Sequence, residues 1–273
     1  MTSASLTGLG WTPDWPAAPH VKALFSTRRG GVSQPPWQSL NLGDHVGDDP
    51  AHVAANRALL ARSLGVPPVF LQQVHGCDVV DVDAHTPQGR IADACWTDQS
   101  GVACTIMVAD CLPVLFTDAQ GTWVAAAHAG WRGLAGQGGV GVLETTLARG
   151  LRATPSPGGP MDTQVGDILA WLGPCIGPQA FEVGPEVRAA FCATDAAAEQ
   201  AFQPVKNDKY LANLPLLARL RLQRAGVQSV HGNDGSSAWC TVTQESLFFS
   251  HRRDAARLGS TGRMAACIWL DRG

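Results

Sequence analysis

Two spacings of apolar residues organise the chain. Short unbroken runs bounded by turn-forming residues read as strands, and stretches with apolar residues three and four apart read as helices. Residues 21–26 (VKALFS) have strand character and lead into Thr27-Arg28-Arg29-Gly30-Gly31-Val32-Ser33. The two glycines make a tight turn whose backbone N–H groups either face a ligand or simply lie at the surface. Asn41-Leu42-Gly43-Asp44-His45 is a second turn-rich stretch. Asp49-Pro50 then precedes residues 51–64 (AHVAANRALLARSL), where Val53, Leu59, Leu60 and Leu64 approximate one helix face, with Gly65 to end it and Pro67 beyond. This helix is expected to serve packing rather than chemistry. Residues 69–74 read as a strand that delivers His75, and residues 102–108 as a strand that delivers Asp110 and Cys111. Residues 79–82, 114–116 and 123–127 are further short apolar stretches, the last delivering His128. Strands that end in polar residues at a turn are how a rigid sheet presents a site.

Beyond His128 the spacing becomes helical. Residues 133–149 are expected to include a helix opened by the glycine-rich run 136–141. Residues 153–159 (ATPSPGG) are the most linker-like stretch, but a strand resumes at 168–172, so they read as a surface loop within one domain spanning 1–273. Residues 1–20 read as a partly irregular N-terminal extension. Residues 185–192 form a helix with proline in its first turn. Residues 210–225 read as another, with Leu211, Leu214, Leu217, Leu220 and Leu222 as apolar positions and Pro215 starting or kinking it. Residues 264–270 close the chain as a strand. No internal repeat or low-complexity segment is present.

The totals exclude several classes. Among 273 residues, 45% are apolar and the net charge is -3, so there is no basic footprint for nucleic acid. The longest apolar runs are far too short to cross a bilayer, and the first residues lack a basic segment followed by an apolar one. A cytoplasmic protein without a membrane partner is expected. In a reducing compartment the 8 cysteines, with no CxxC among them, read as thiols, ligands or nucleophiles. Any metal site must be assembled from separated segments.

His75, Cys111 and His128 are the candidates for such a site. Two imidazoles and a thiolate suit a catalytic zinc, which takes three protein ligands and keeps one position open. The same residues suit a metal-free nucleophile, with Cys111 activated by His128 or His75 and Asp110, Asp93 or Asn41 orienting the imidazole. They also match the equatorial set of a blue-copper centre. Laccase-type oxidation needs many paired histidines, whereas this chain has 8 in all and no His-x-His. Each of the three residues, taken alone, is equally well explained as structural.

Gly136-x-Gly138-x-x-Gly141 matches the dinucleotide fingerprint, but a Pro/Gly loop lies where the ribose-binding acid should follow. What survives is milder: free N–H groups at a helix start favour an anion, and Arg132 nearby is positioned to add a charged contact or a surface ion pair. Asp93 and Glu182 are candidate acids or bases, or turn caps. Trp131 either walls a purine-sized pocket or packs.

The motifs QQVHG at 72–76, ADC-x-PVLF at 109–116, AHAGWRGL at 127–134 and GPCIGPQAFEVG at 173–184 resemble, in order and spacing, those of the YfiH family. FSTRRGGVS at 25–33, NLGDHVGDD at 41–49 and TGRMAACIW at 261–269 are similar as well. That family has carried the labels multicopper polyphenol oxidase or laccase domain, purine nucleoside phosphorylase and peptidoglycan-editing factor. The resemblance implies an α+β fold in a single domain, with mixed sheets flanked by helices, shared with cysteine hydrolases such as toxin deamidases. It implies zinc, with copper as the alternative, on His75, Cys111 and His128. It implies phosphorolysis of adenosine, inosine or methylthioadenosine and deamination of adenosine, in a monomer or weak homodimer whose partners are purine nucleosides and phosphate. On this reading Asp93 joins the three ligands as a catalytic residue that shuttles a proton. Arg28, Asn41, Gln73, Trp131, Arg132 and Glu182 become the substrate and phosphate contacts, with Arg28 and Arg132 on phosphate. The chain departs from the family pattern in the glycine-rich run 136–141 and in residues 208–222, which bears on the substrate wall rather than the metal.

Overall fold

The apolar runs become strands whose two faces are both covered. A computed structural model describes residues 6–152 and 164–272. Its first half contains β1 (Leu6–Thr7), β2 (Gly10–Trp11), β3 (Val21–Ser26), α1 (Pro50–Leu64), β4 (Pro68–Phe70), β5 (Val79–Asp81), β6 (Ala94–Thr97), β7 (Ala103–Val108), β8 (Leu112–Asp118) and β9 (Val124–Ala129). There follow α2 (Trp131–Ala135), α3 (Val142–Leu151), β10 (Ile168–Leu172), β11 (Glu182–Val183), α4 (Pro185–Cys192), β12 (Phe202–Pro204) and β13 (Tyr210–Ala212). The chain closes with α5 (Leu214–Arg224), β14 (Ser229–Gly232), α6 (His251–Leu258) and β15 (Met264–Leu270). One six-stranded sheet has the order β1-β2-β3-β15-β7-β4, a second β14-β10-β8-β9-β6-β5, and three short strands pair as β11-β13-β12. Both large sheets mix parallel and antiparallel neighbours, so the fold is α+β with mixed sheets and flanking helices.

The alternation of side chains along each strand builds the layers. On β7, Cys104, Ile106 and Val108 point with Phe25 and Ile268 toward Leu115, Val124, Ala126 and Trp171 of the second sheet. Ala103 and Met107 point the other way, with Leu24 and Cys267, onto Leu60 and Leu64 of α1. On β9, Ala125, Ala127 and Ala129 pack with Leu143, Leu147 and Leu217 of α3 and α5. The order is therefore helix, sheet, sheet, helices. Strands buried on both faces need apolar residues at every position, which explains why they read as runs rather than alternations. Each large apolar side chain so buried contributes roughly 1.5–3 kcal/mol.

Two expectations change, the strand at 69–74 and the helix at 210–225. The strand expected at 69–74 stops at Phe70. From there Gln72 makes only an isolated bridge to Ile91, and the Gln73 side chain exchanges hydrogen bonds with the backbone of Met107 in place of a ladder. The helix expected within 133–149 is present as α3, opened by the glycine-rich run with Gly141 as its N-cap; the short α2 precedes that run, and Gly136, Gly138 and Gly139 adopt positive φ between the two helices. The stretch 210–225 begins as β13; Asn213 then caps α5 by accepting from Leu216 N–H, and Pro215 sits in the first turn, where its missing N–H costs nothing. Within the N-terminal extension, β1 and β2 add to the edge of the first sheet beside β3. The linker-like stretch 153–159 lies outside the described residues. Among those described, no helix is long and apolar enough to cross a membrane.

Candidate metal centre and active site

Three segments deliver the three candidate ligands. Cys111 lies in the turn between β7 and β8, and His128 lies within β9, opposite Pro113 of β8. His75 lies in the loop after β4. Two turns are bent sharply: His75 has φ 61 and Asp110 has φ 89. The ligand atoms of His75, Cys111 and His128 all lie within 4.8 Å of one another. Cys111 Sγ is 3.7 Å from His75 Nε2, and the two imidazole rings meet edge to face with centroids 4.8 Å apart. Tetrahedral zinc with a thiolate and an imidazole implies a separation of about 3.6 Å between those two donors. The donor set therefore fits such an ion in chemistry and in spacing. Gly130 makes the approach achievable, since a Cβ there would lie 2.7 Å from His75 Cδ2 and 3.2 Å from Cys111 Sγ.

Asp93 organises two of the three segments. Its carboxylate is fully buried and lies 2.8 Å from His128 Nδ1. It also accepts the backbone N–H groups of Val74, His75 and Gly76 at 3.1, 2.9 and 2.7 Å. With Nδ1 turned to Asp93, His128 presents Nε2 to the centre, the arrangement by which a carboxylate orients a metal-binding imidazole. Burial pushes the Asp93 carboxyl up, but the hydrogen bond and charge of His128 and the backbone N–H groups bring it below its ordinary value. Burial likewise pushes the Cys111 thiol up. The charge of His128 and hydrogen bonds with His128 and His75 outweigh that and bring it to about 6. Burial pushes His128 down, and Cys111 and Asp93 together raise it to about 9. Without a metal the pair is thus a thiolate and an imidazolium at neutral pH.

The centre opens on a cavity of about 920 Å³. Gln73, Trp131 and Arg132 line it, as their candidacy requires, although the Gln73 amide is engaged with Met107. Arg28, Asn41 and Glu182 do not line it. Arg28 donates to Gln38 O and Glu245 O and lies over Phe249. Asn41 is buried, bonded to Gly43 O, Asp48 and the N–H groups of Gly43 and Arg263. Glu182 is exposed and pairs with Lys209. Asp93, walled in beneath the ligands, is not among the lining residues either. The glycine-rich run is also turned away: Glu144 accepts the Gly141 N–H, and Arg221 donates to Gly139 O.

In their place the cavity gains Arg57, Arg252, Arg263, Asp44, His45 and His251. Two sequence signals point to some of them. Arg57 sits on a helix that contains no acidic residue to pair with, and Asp44, His45 and Arg263 fall inside stretches already singled out, NLGDHVGDD and TGRMAACIW.

Residues 22–271 match the family described as multi-copper polyphenol oxidoreductase laccase. A purine nucleoside phosphorylase of Pseudomonas aeruginosa is 50% identical over 95% of this chain and 97% of its own length. A purine nucleoside phosphorylase of Escherichia coli named YfiH is 49% identical over 94% and 97%. The crystal structure of a Neisseria meningitidis protein superposes with a TM-score of 0.85 at 47% identity, covering 97% of this chain and all 100% of that one.

Proposed function

The chain belongs to the multi-copper polyphenol oxidoreductase laccase family, which includes the YfiH proteins, and from that membership we propose that it is a zinc-dependent purine nucleoside phosphorylase. The observation that carries this reading is the His75, Cys111 and His128 set opening on a cavity that holds four arginines. The names of its relatives support the same activity. In the reaction an oxygen of hydrogen phosphate bonds to C1′ of the ribose as the C1′–N9 bond breaks. The purine leaves with the electron pair and takes up the phosphate proton, giving free base and ribose 1-phosphate, or methylthioribose 1-phosphate from methylthioadenosine. The substrates on this reading are adenosine, inosine and methylthioadenosine.

This chain's own residues bind and orient. Trp131 walls the cavity beside His128, Arg132 supplies charge for phosphate, and Asp93 holds His128 and the 74–76 backbone. A zinc ion on the three donors would supply Lewis-acid stabilisation of developing negative charge. With both carboxylate oxygens engaged, Asp93 is a positioning residue rather than the proton shuttle. Deamination of adenosine, in which water adds at C6 and ammonia leaves, is a second activity we assign to the same centre. Copper oxidation is disfavoured by the donors: among the described residues one group of three is close enough to hold an ion.

A second reading rests on the Cys111 thiol at about 6 beside His128. A thiolate with an imidazolium partner is the apparatus of a metal-free cysteine amidase. Incubating adenosine with and without phosphate separates the readings. Adenine and ribose 1-phosphate formed only with phosphate mark the phosphorylase, and inosine formed without it marks deamination. No nucleoside turnover by the zinc-loaded protein, together with amide hydrolysis abolished by alkylating Cys111, would replace the first reading by the second.

A further inference from the structure

We propose that Arg263, with Arg132, forms a subsite for a tetrahedral oxyanion beside the His75, Cys111 and His128 centre, the ligand being a phosphate group. The inference rests on the phosphorolysis reading and names the residues that would bind its second substrate.

Arg263 immediately precedes β15, and its backbone is fixed on both sides: its N–H donates to Asn41 Oδ1 at 2.9 Å and its carbonyl accepts from Leu42 at 3.1 Å. Its stem lies against Gly43, where a Cβ would come within 2.7 Å of Arg263 Cγ. Nη1 donates to Thr261 O and Gly262 O at 3.3 and 3.2 Å. Among the described residues nothing accepts from Nε or Nη2, and no carboxylate pairs with this half-buried guanidinium. Arg132 is similar: its guanidinium lies 4.4 Å over Trp131 and, among the described residues, pairs with no carboxylate.

The cavity's own carboxylates are committed elsewhere. Asp44 pairs with Arg57 at 3.2 Å. Asp110 accepts from Thr241 Oγ1 at 2.5 Å and from the Arg252 backbone N–H at 2.6 Å. Four arginines against two aspartates leave an excess of positive charge in the lining. A cation removed from water without a partner is unfavourable, so such a lining selects an anion. A neutral nucleoside does not answer that charge; a phosphate does, and the planar guanidinium fork matches its oxygens.

The test uses the zinc-loaded full chain and inorganic phosphate, with nucleoside 5′-monophosphate as a second arm. Binding is followed by titration calorimetry, and adenosine binding is measured separately without phosphate. In Arg263→Gln the phosphate affinity should fall roughly tenfold or more, as expected for a lost charge-assisted hydrogen bond, with adenosine affinity held within about twofold. Arg263→Lys should recover part of the loss, and Arg132→Gln, at an exposed position, should reproduce it should Arg263→Gln fail to fold. Loss confined to inorganic phosphate identifies the co-substrate; loss confined to the monophosphate identifies a phosphorylated nucleoside as the ligand. Unchanged phosphate affinity in a folded Arg263→Gln, or equal loss of phosphate and adenosine, overturns the subsite. A wild-type protein that binds phosphate through Arg263 without phosphorolysis sinks the activity and keeps the subsite. One that phosphorolyses with an unchanged phosphate KM in Arg263→Gln does the reverse.

Discussion

Asp93 lies 2.8 Å from His128 Nδ1 and, with the same two oxygens, takes the backbone N–H groups that hold His75 in place. One buried carboxylate thus sets the geometry of two candidate ligands. In Asp93→Asn the amide keeps one acceptor but turns a donor toward N–H groups it cannot bond. Zinc affinity should fall about 10–100-fold, and each buried N–H left unpaired should cost about 1–3 kcal/mol of stability. Competition titration with a chelator and urea unfolding read the two effects. A variant with native zinc affinity and an unchanged unfolding midpoint would remove Asp93 from this role.

Gly130 separates site geometry from fold stability. A methyl group there would press His75 Cδ2 at 2.7 Å, while Cys111 Sγ at 3.2 Å leaves little room on the other side. His75 is exposed, so its ring has room to swing away at little cost. Gly130→Ala should therefore unfold within about 1 kcal/mol of the wild type, yet bind zinc at least tenfold more weakly, the loss expected when a ligand is displaced. Native zinc affinity would show that the cradle tolerates a Cβ.

How much of this was legible beforehand follows from where each contact comes from. His75, Cys111 and His128 were legible because each is a polar residue at or near the end of an apolar run. The partners of Asp93 were not, because they are backbone N–H groups 17 to 19 positions away and backbone carries no sequence identity. Arg57, Arg252 and Arg263 come from α1, α6 and the residue before β15, and only the stacking of layers brings them to one cavity. The helix within 133–149 is legible because helical spacing resumes after the glycines, whereas the short α2 before them is not, since the break between the two rests on positive φ at Gly136, Gly138 and Gly139.

The Cys111 and His128 pair predicts a pH profile for the metal-free protein. Cys111 is depressed to about 6 and His128 raised to about 9, so the ion pair spans the interval between those values. Iodoacetamide should alkylate Cys111 with a rate that climbs through about pH 6. In His128→Ala the climb should move toward the ordinary thiol value of about 8.5. At pH 7.5 zinc uptake should release about one proton from the pair, since His128 must lose its proton to bind and Cys111 is already a thiolate. A wild-type alkylation midpoint near the ordinary thiol value would contradict the pairing.

Asp254, buried in α6, ties stability to acid. Burial pushes its carboxyl up, but hydrogen bonds from Arg253, Ser250 and Thr261 and the charge of Arg253 bring it below the ordinary range. The folded value is thus lower than the unfolded one of about 3.9. Its contribution is present above the unfolded value and is lost as pH falls through the folded one. Asp254→Asn should be less stable than the wild type by about 1–3 kcal/mol at pH 7, with the difference shrinking only below about pH 4. Urea unfolding from pH 7 to pH 3 checks this; a gap that stays constant throughout would exclude the carboxylate's charge as its source.

Arg28 offers the sharpest contrast between a motif and its place in the fold. It follows a strand and precedes two glycines, which makes it a natural phosphate contact on paper. In the fold its Nε donates to Gln38 O at 3.0 Å, its Nη1 to Glu245 O at 3.1 Å, and its guanidinium lies 4.7 Å from the Phe249 ring centroid. Its own carbonyl accepts from Ser39 and Leu40. Arg28 therefore fastens the 27–40 loop to the segment before α6, away from the cavity. Arg28→Ala should lower stability by about 1–3 kcal/mol through the lost hydrogen bonds and ring contact. The phosphate KM of any phosphorolysis should stay within about twofold, whereas Arg132→Gln should raise it. Steady-state kinetics beside urea unfolding decide the matter, and a raised phosphate KM in a stably folded Arg28→Ala would return Arg28 to the substrate site.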